Sequence, residues 1–166
     1  MEFKEYSEKL KKSKEYKDFL VKNKGVYFFS GFFSIDHEGK ELPQINFDFY
    51  VPSSSEIYSF KFGEKIEITP VDNYDKRIPE KLSLDFNFKL EDFQDLILKE
   101  MKDKEIKNNI KKFLFSYQSL EKKPYLLVTV FLSNFGLLKA HIDVKEKRFI
   151  SFEKSSILDM MKILKK

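Results

Sequence analysis

The spacing of apolar side chains along the chain changes several times, and each change predicts a new structural element. In residues 3–22 the apolar positions recur at helical spacing among lysines and glutamates, which predicts one amphipathic helix. Asn23-Lys24-Gly25 follows as a helix stop, because Asn and Gly adopt the left-handed conformation more easily than other residues. A helix with one apolar face needs a second layer of structure to cover it.

Alternating apolar and polar positions then predict strands. Residues 44–51 alternate strictly, so one face of this strand is expected to be buried. The strands predicted in this half of the chain span 26–36, 44–51, 56–62 and 65–71. The turns between them are short and polar, which favours an antiparallel meander.

The second half repeats this order after a polar linker at 70–79. Apolar alternation at 82–86 predicts a short strand, and residues 89–102 predict a second helix with Asn87 as its N-cap. Segment 104–112 fits either a helix or a loop. The remaining elements predicted are strands at 113–118, 126–132, 137–144 and 148–152, and a helix at 155–164 that starts at a Ser cap.

The order of elements predicts an α+β fold in which helices pack on antiparallel β-meanders. Two halves of the form α-β-β-β-β, plus a short C-terminal helix, account for the whole chain. The corresponding units are 1–71 and 80–166, and the two can also pack as one domain. Residues 57–60 (Ile-Tyr-Ser-Phe) and 149–152 (Phe-Ile-Ser-Phe) follow alternating strands in a similar way, which suggests an internal repeat.

Several of these segments are similar to known modules. The strands at Tyr125–Phe131 and Leu138–Val144, after a helix that ends in apolar residues, resemble a PepSY-type module, and residues 47–60 resemble the first part of small PepSY-like proteins. The helix-then-meander order also resembles the cystatin-like arrangement. Lys147 stands where the PepSY turn usually has Gly. The resemblance implies this fold, and it implies a regulatory or inhibitory role of the kind that PepSY segments have beside peptidases, typically outside the cytoplasm.

The composition predicts a large core, excludes several kinds of functional site and favours one cellular compartment. Apolar residues make up 42% of the 166 residues and 19 are Phe, so a large core is expected. The chain has no Cys, which excludes disulfides, zinc ribbons and a thiol nucleophile. The charged start has no apolar signal region, and the apolar run Tyr125–Leu132 is too short to cross a bilayer. These features predict a cytoplasmic protein.

The charge pattern is typical of a solvated surface. The net charge is +4, from 31 basic and 27 acidic residues, and only Arg77 and Arg148 are Arg. Arg provides the bidentate contacts used to recognise phosphates and bases, so a Lys-rich, Arg-poor chain is a poor candidate for nucleic-acid recognition. Weak Lys-mediated binding of nucleic acid stays as an alternative.

No motif in the chain predicts catalysis, a cofactor or a bound metal. His37 and His141 have no further ligand at metal-binding spacing, the serines lack the nucleophile-elbow motif, and no glycine-rich phosphate loop occurs. The remaining acid–base candidates are three carboxylate pairs: Glu91 with Asp92, Asp48 with Glu56, and Asp72 with Asp75. They allow the alternative of a small-ligand-binding protein, or an enzyme whose carboxylates lie between helix and sheet.

The aromatic excess of the first meander provides the main functional hypothesis. Residues 27–33 are apolar on both faces of their predicted strand, so one face can pack under the helix. The other face has to be covered by the second half of the chain, by a partner or by a ligand. We therefore expect a non-enzymatic binding or regulatory module that holds a protein or peptide through a sheet face or edge. The candidate partner surface is Tyr27, Phe29, Phe33, Tyr50 and Tyr58.

Overall fold

A computed structural model describes residues 2–164. Its helices and strands follow the predicted order, apart from the differences described below. The first half contains helices α1 (Phe3–Lys12) and α2 (Lys14–Lys22) and strands β1 (Tyr27–Asp36), β2 (Ile45–Val51), β3 (Glu56–Phe62) and β4 (Ile66–Val71). The second half contains α3 (Leu90–Asp103), β5 (Ile110–Leu120), β6 (Lys123–Leu132), β7 (Gly136–Asp143), β8 (Arg148–Ser156) and α4 (Ile157–Leu164). The predicted α+β fold with antiparallel meanders and a C-terminal helix is confirmed.

The two meanders lie side by side in one sheet. The strand order is β4-β3-β2-β1-β5-β6-β7-β8, and every neighbouring pair is antiparallel. The first strands of the two meanders pair directly, for example at Phe33 and Phe115. The halves therefore extend one sheet and do not stack on each other, which leaves β4 and β8 as its edge strands.

The first helical segment is broken, so the prediction of one helix over 3–22 is wrong. Ser13 has φ −71° and ψ 145°, an extended conformation, and its hydroxyl accepts a hydrogen bond (3.2 Å) from the backbone N–H of Tyr16. This side chain caps α2 and separates it from α1. The break gives each helix its own direction, so that α1 buries Phe3 and Leu10 while α2 buries Phe19 against β2 and β3.

The connector between the meanders lies across the sheet and does not join it, so the predicted strand at 82–86 is wrong. The backbone N–H of Leu82 donates to the carbonyl of Phe28 (2.9 Å), but residues 72–89 contain no strand. Strand β1 pairs with β2 along most of its length but with β5 only from Gly31 onward, so the connector meets only the start of β1, through this one backbone hydrogen bond. Its apolar side chains instead enter the core, including Phe86 and Phe88.

Three further boundaries differ from the sequence prediction. Asn87 is not the cap of α3, which begins after Lys89 without a side-chain cap. In segment 104–112, residues 104–109 form a loop and residues 110–112 already belong to β5. Strand β8 continues to Ser156, beyond its predicted end, because it stays paired with β7 as far as Gly136. The hydroxyl of Ser156, not of Ser155, then accepts a hydrogen bond (3.2 Å) from the N–H of Leu158 at the start of α4.

The turn before β8 is organised by Asp143. Its carboxylate accepts hydrogen bonds from the backbone N–H groups of Lys145 and Glu146, both at 2.9 Å. Lys147 follows with φ 50°, in the left-handed region. Lys147 thus adopts the backbone conformation that glycine takes most easily.

The core lies on the helix side of the sheet and is largely aromatic. The ring of Phe3 on α1 lies at its centre, with the ring centroids of five aromatic residues 5.1–6.4 Å away: Phe33, Phe47, Phe86, Phe88 and Tyr117. The pairs with Phe33 and Phe88 are edge-to-face and the pair with Phe86 is stacked, and both arrangements add stabilisation beyond the burial of apolar area. Helix α3 covers the second meander and buries Phe93 and Ile97 completely.

Candidate functional site

The face of the sheet opposite α1, α2 and α3 is partly apolar and partly exposed over its centre. Buried side chains from these three helices form one cluster with Phe47, Phe115 and Val128, which point to the helix side. The residues that alternate with these along each strand point away from the helices. We call the apolar ones at the centre of this face the open-face strip. The open-face strip consists of Phe29, Phe32, Leu114, Leu127 and Phe131, none of which belongs to the buried cluster.

The strand register places these side chains next to one another. Phe32 on β1 pairs with Ser116 on β5, which pairs with Leu127 on β6, so the three side chains form one row across the open face. Leu127 is 38% exposed, and the other four members of the strip are half-buried. The strip is thus a partly exposed surface on which apolar side chains are interspersed with Ser116 and Thr129, and a mainly apolar surface on a sheet marks a candidate interaction site.

The sequence-predicted partner residues do not form one surface. Tyr27, Phe29 and Tyr50 lie on the open face, but Phe33 and Tyr58 lie on the helix side. A β-bulge between Phe28 and Ser30 explains the position of Phe33, because one extra residue reverses the alternation of the following side chains. Phe33 and Tyr50 are each only 3% exposed, so neither is available to a partner in this structure.

Four members of the open-face strip were missed from the sequence. Leu127 and Phe131 occupy the non-core positions of a strand that is apolar on both faces, which is the same signal that identified the first meander. The strip therefore crosses from the first meander into the second. This continuity depends on the β1–β5 pairing, which no local pattern encodes.

A cavity of about 360 Å³ adjoins the open-face strip at the end of the sheet where β1 begins. The connector forms its outer wall, and the backs of β1, β2 and β3 form its floor. The hydroxyl of Tyr27 donates to the carbonyl of Pro79 (2.6 Å) and attaches the connector to the sheet. Residues that line the cavity include Phe29, Ser30, Asp48, Ile57, Asp72, Asp75, Arg77 and Glu80.

Asn73 fixes the shape of the connector around this cavity. Its amide nitrogen donates to the carbonyls of Ser55 and Arg77, both at 3.1 Å, and its amide oxygen accepts from the N–H of Arg77 at 3.1 Å. One side chain thus joins the connector to itself and to the turn between β2 and β3. The wall of the cavity is held by specific hydrogen bonds.

Asp48 lies on the floor of the cavity between two serines. It pairs with Ser30 on β1 and with Ser59 on β3, and the two serines are only 8% and 7% exposed. Burial raises the pKa of the Asp48 carboxyl, and the opposing hydrogen bond from Ser59 does not offset that effect. The fold therefore holds a carboxylate where ionisation is unfavourable, which is a feature often found at functional sites.

Replacing Asp48 with Asn is expected to stabilise the protein at neutral pH. Because the pKa of Asp48 is higher in the folded than in the unfolded chain, the wild type loses stability as pH rises from the unfolded value of 3.8 through the folded value. Asn keeps the shape without the charge, so the gain is present at pH 7 and absent below about pH 4. Urea denaturation of both proteins at several pH values measures this, and equal stabilities at pH 7 would contradict it.

The structure brings some predicted carboxylates together and separates others. Asp48, Asp72 and Asp75 line the same cavity, on the open face and not between helix and sheet as expected. Glu56 accepts a hydrogen bond (2.8 Å) from the hydroxyl of Tyr58, which lowers the pKa of the Glu56 carboxyl. Asp92 accepts a hydrogen bond from the ammonium of Lys147 (2.8 Å) at the exposed start of α3. Neither of these two belongs to the cavity.

The two histidines lie apart and serve no shared site. The ring of His37 packs 5.2 Å from that of Phe113, next to the end of β1. His141 lies on β7, where its ring is 4.2 Å from the ring of Tyr125 and its Nε2 is buried without a hydrogen-bond partner. No three histidine, aspartate or glutamate side chains within residues 2–164 are placed to hold a metal ion.

A second hollow, on the helix side, is basic. It measures about 640 Å³ and is lined by Lys81, Lys122, Lys145 and Lys147 over the buried ring of Tyr117. Burial raises the pKa of the Tyr117 phenol to about 12, so it stays protonated at neutral pH. All four lysines are exposed, as expected for solvated charge.

The edge strand β8 and helix α4 form another partly apolar region. No residue of α4 is buried, and Leu158 and Met161 are about half exposed. None of the helices described in residues 2–164 is long and apolar enough to span a bilayer.

The comparisons with known proteins give information on the fold alone. No protein-family model and no curated protein matches the chain. The fold is similar to the crystal structure of a "putative lipoprotein" from Clostridium difficile, with a TM-score of 0.55 and 13% sequence identity. The match covers 84% of this chain and 89% of that protein. The arrangement of helices on one face of a long antiparallel sheet is thus also found in another protein.

Proposed function

We propose that this protein is a non-enzymatic binding or regulatory module, of the PepSY-like or cystatin-like type, that holds a segment of a partner protein on its open face. The observation that carries the proposal is the open-face strip, a group of partly exposed apolar side chains at the centre of a sheet. We also propose a cytoplasmic location for the protein, based on its lack of cysteine.

The sheet topology supports the proposal that a partner protein, and not the other half of the chain, covers the strip. The second half of the chain could cover the open face only by stacking on the first, but the two halves are neighbours in the same sheet. The connector covers only the end of this face, near Tyr27 and Pro79. Removing the remaining apolar surface from water would stabilise a complex by roughly 25 cal/mol per Å² of apolar area buried, before the cost of association.

The occupant we propose is a peptide segment with apolar side chains. Ser116 lies between Phe32 and Leu127, and Thr129 lies between Leu127 and Phe131, so their hydroxyls can donate or accept hydrogen bonds within the strip. Apolar contacts with hydrogen bonds distributed among them are usual in a protein–protein interface.

The test selects peptides from a random displayed library on the full chain and measures their affinity for two variants. Leu127→Asp places a charge in the open-face strip, whereas Leu98→Asp is a matched control on α3, where the side chain lines a separate hollow with His37 and Met101. The two leucines are 38% and 47% exposed, so both changes should leave the fold intact. We expect Leu127→Asp to weaken the selected peptides roughly tenfold or more and Leu98→Asp to have little effect.

Two results would overturn the proposal. Failure to select any peptide above background would leave the open face without the proposed occupant. Equal affinities for the Leu127→Asp and Leu98→Asp variants, both shown to be folded by circular dichroism, would place peptide binding elsewhere on the protein.

A further inference from the structure

We infer that the cavity beside the open-face strip receives a lysine or arginine side chain of the same partner segment, an inference that rests on the proposed function. The cavity is continuous with the strip, because Phe29 belongs to both. A peptide lying on the strip can therefore direct one long side chain past Phe29 towards Asp48.

The charge of the cavity favours a cation. Its lining contains the four carboxylates of Asp48, Asp72, Asp75 and Glu80 against the single guanidinium of Arg77. An excess of acidic groups in a partly enclosed space attracts a positive group more strongly than the same charges would on an open surface.

Part of this charge is already used by the protein. Asp72 accepts a hydrogen bond from the hydroxyl of Tyr74 (2.8 Å). Glu80 accepts two from the backbone N–H groups of Glu121 and Lys122 (2.8 and 2.7 Å), which holds the turn between β5 and β6. Asp75 is exposed on the connector, whereas Asp48 is half-buried at the floor between the strands, where an incoming group would lose most of its contact with water.

The environment of Asp48 suits an ammonium or guanidinium head group. The neighbouring hydroxyl oxygen of Ser30, which also lines the cavity, can accept further N–H donors, since every hydroxyl has acceptor lone pairs. Phe29 and Ile57 provide apolar walls for the methylene stem of the same side chain. A bound cation would also replace the hydration that Asp48 loses by burial.

The size of the cavity agrees with one side chain. Its volume of about 360 Å³ lies near the lower limit of ligand pockets, which run from about 300 to 1,000 Å³. The space therefore suits a single head group with its stem better than a large cofactor.

The test uses the peptides selected on the open face, each paired with a copy in which its single Lys or Arg is replaced by Gln. Isothermal titration measures both copies on the wild type and on the Asp48→Asn and Asp95→Asn variants. Asp95 is an exposed carboxylate on α3, remote from the cavity, and serves as the matched control.

We expect the wild type and Asp95→Asn to bind the basic copy about tenfold more tightly than the Gln copy. In Asp48→Asn that preference should fall to about twofold or less. This variant is expected to gain stability, so a loss of preference would not reflect unfolding.

The outcomes separate this inference from the proposed function. If basic and Gln copies bind equally to the wild type, but both depend on Leu127, the inference is wrong and the proposed function stands. If no peptide binds in a Leu127-dependent way, both are wrong. Free agmatine is the second probe, and agmatine that binds the wild type as tightly as the peptides would identify a small-cation site and overturn the assignment to a partner side chain.

Discussion

Replacing Phe3 with alanine is expected to lower the free energy of unfolding by about 3–5 kcal/mol, the usual cost of removing a buried phenyl ring. Phe3 is 1% exposed and contacts aromatic rings of β1, β2, β5 and the connector. Its ring is the point where the two meanders, α1 and the connector meet. A cavity at this point would weaken contacts in both halves at once, because neighbouring rings cannot all move to fill it.

Urea denaturation measured on the wild type and the Phe3→Ala variant tests this expectation. The control is Val21→Ala on the outer side of α2, where the side chain is 77% exposed and the change should stay within about 0.5 kcal/mol. A loss of under about 1 kcal/mol for Phe3→Ala would mean that α1 does not pack at the centre of the sheet.

Replacing Gly31 with valine is expected to destabilise the protein by about 1–3 kcal/mol, because the new side chain would overpack the core. A Cβ at position 31 would lie 3.3 Å from Cε1 of Phe3, 3.5 Å from Cζ of Phe28 and 3.7 Å from Cδ1 of Phe47. The two methyl groups of valine would extend further into this space. Valine is the better strand former, so propensity alone predicts the opposite sign.

A double-mutant cycle with Phe3→Leu isolates the contact. Leucine removes the ring that lies over Gly31, so the Gly31→Val change should cost less in the Phe3→Leu background. We expect the coupling to be about 1 kcal/mol, within the range seen for residues in contact. Additive effects, or a Gly31→Val variant as stable as the wild type, would contradict the close approach of α1 to β1.

The conflict between propensity and packing at Gly31 also shows why local patterns predicted the elements better than their arrangement. The alternation of residues 44–51 and the helical spacing of residues 90–101 predicted β2 and α3 correctly. The spacing of buried positions along a single strand or helix follows from the geometry of that element alone. The break at Ser13 was missed, since the apolar stripe continues through it and only packing on a twisted sheet requires two helix directions.

The candidate site was predicted only in part. The sequence identified an aromatic excess and named Asp48, Asp72 and Asp75 as chemical candidates, but it could not bring them together. Their convergence depends on a connector that returns across the end of the sheet, with Asn73 and Tyr27 fixing its path. Such contacts join residues distant in the chain, and local periodicity contains no information on them.

The sequence by itself determined most of the elements, their order, the fold class and the absence of thiol chemistry, because these follow from residue types and from spacing along one segment. Only the tertiary structure decided that β1 pairs with β5, that the bulge at Phe28 moves Phe33 to the helix side, and that an apolar strip faces away from the helices. The physical reason is that a strand has two faces and two edges. The segments that pack on each face and pair with each edge come from distant parts of the chain, so they depend on how the whole chain folds.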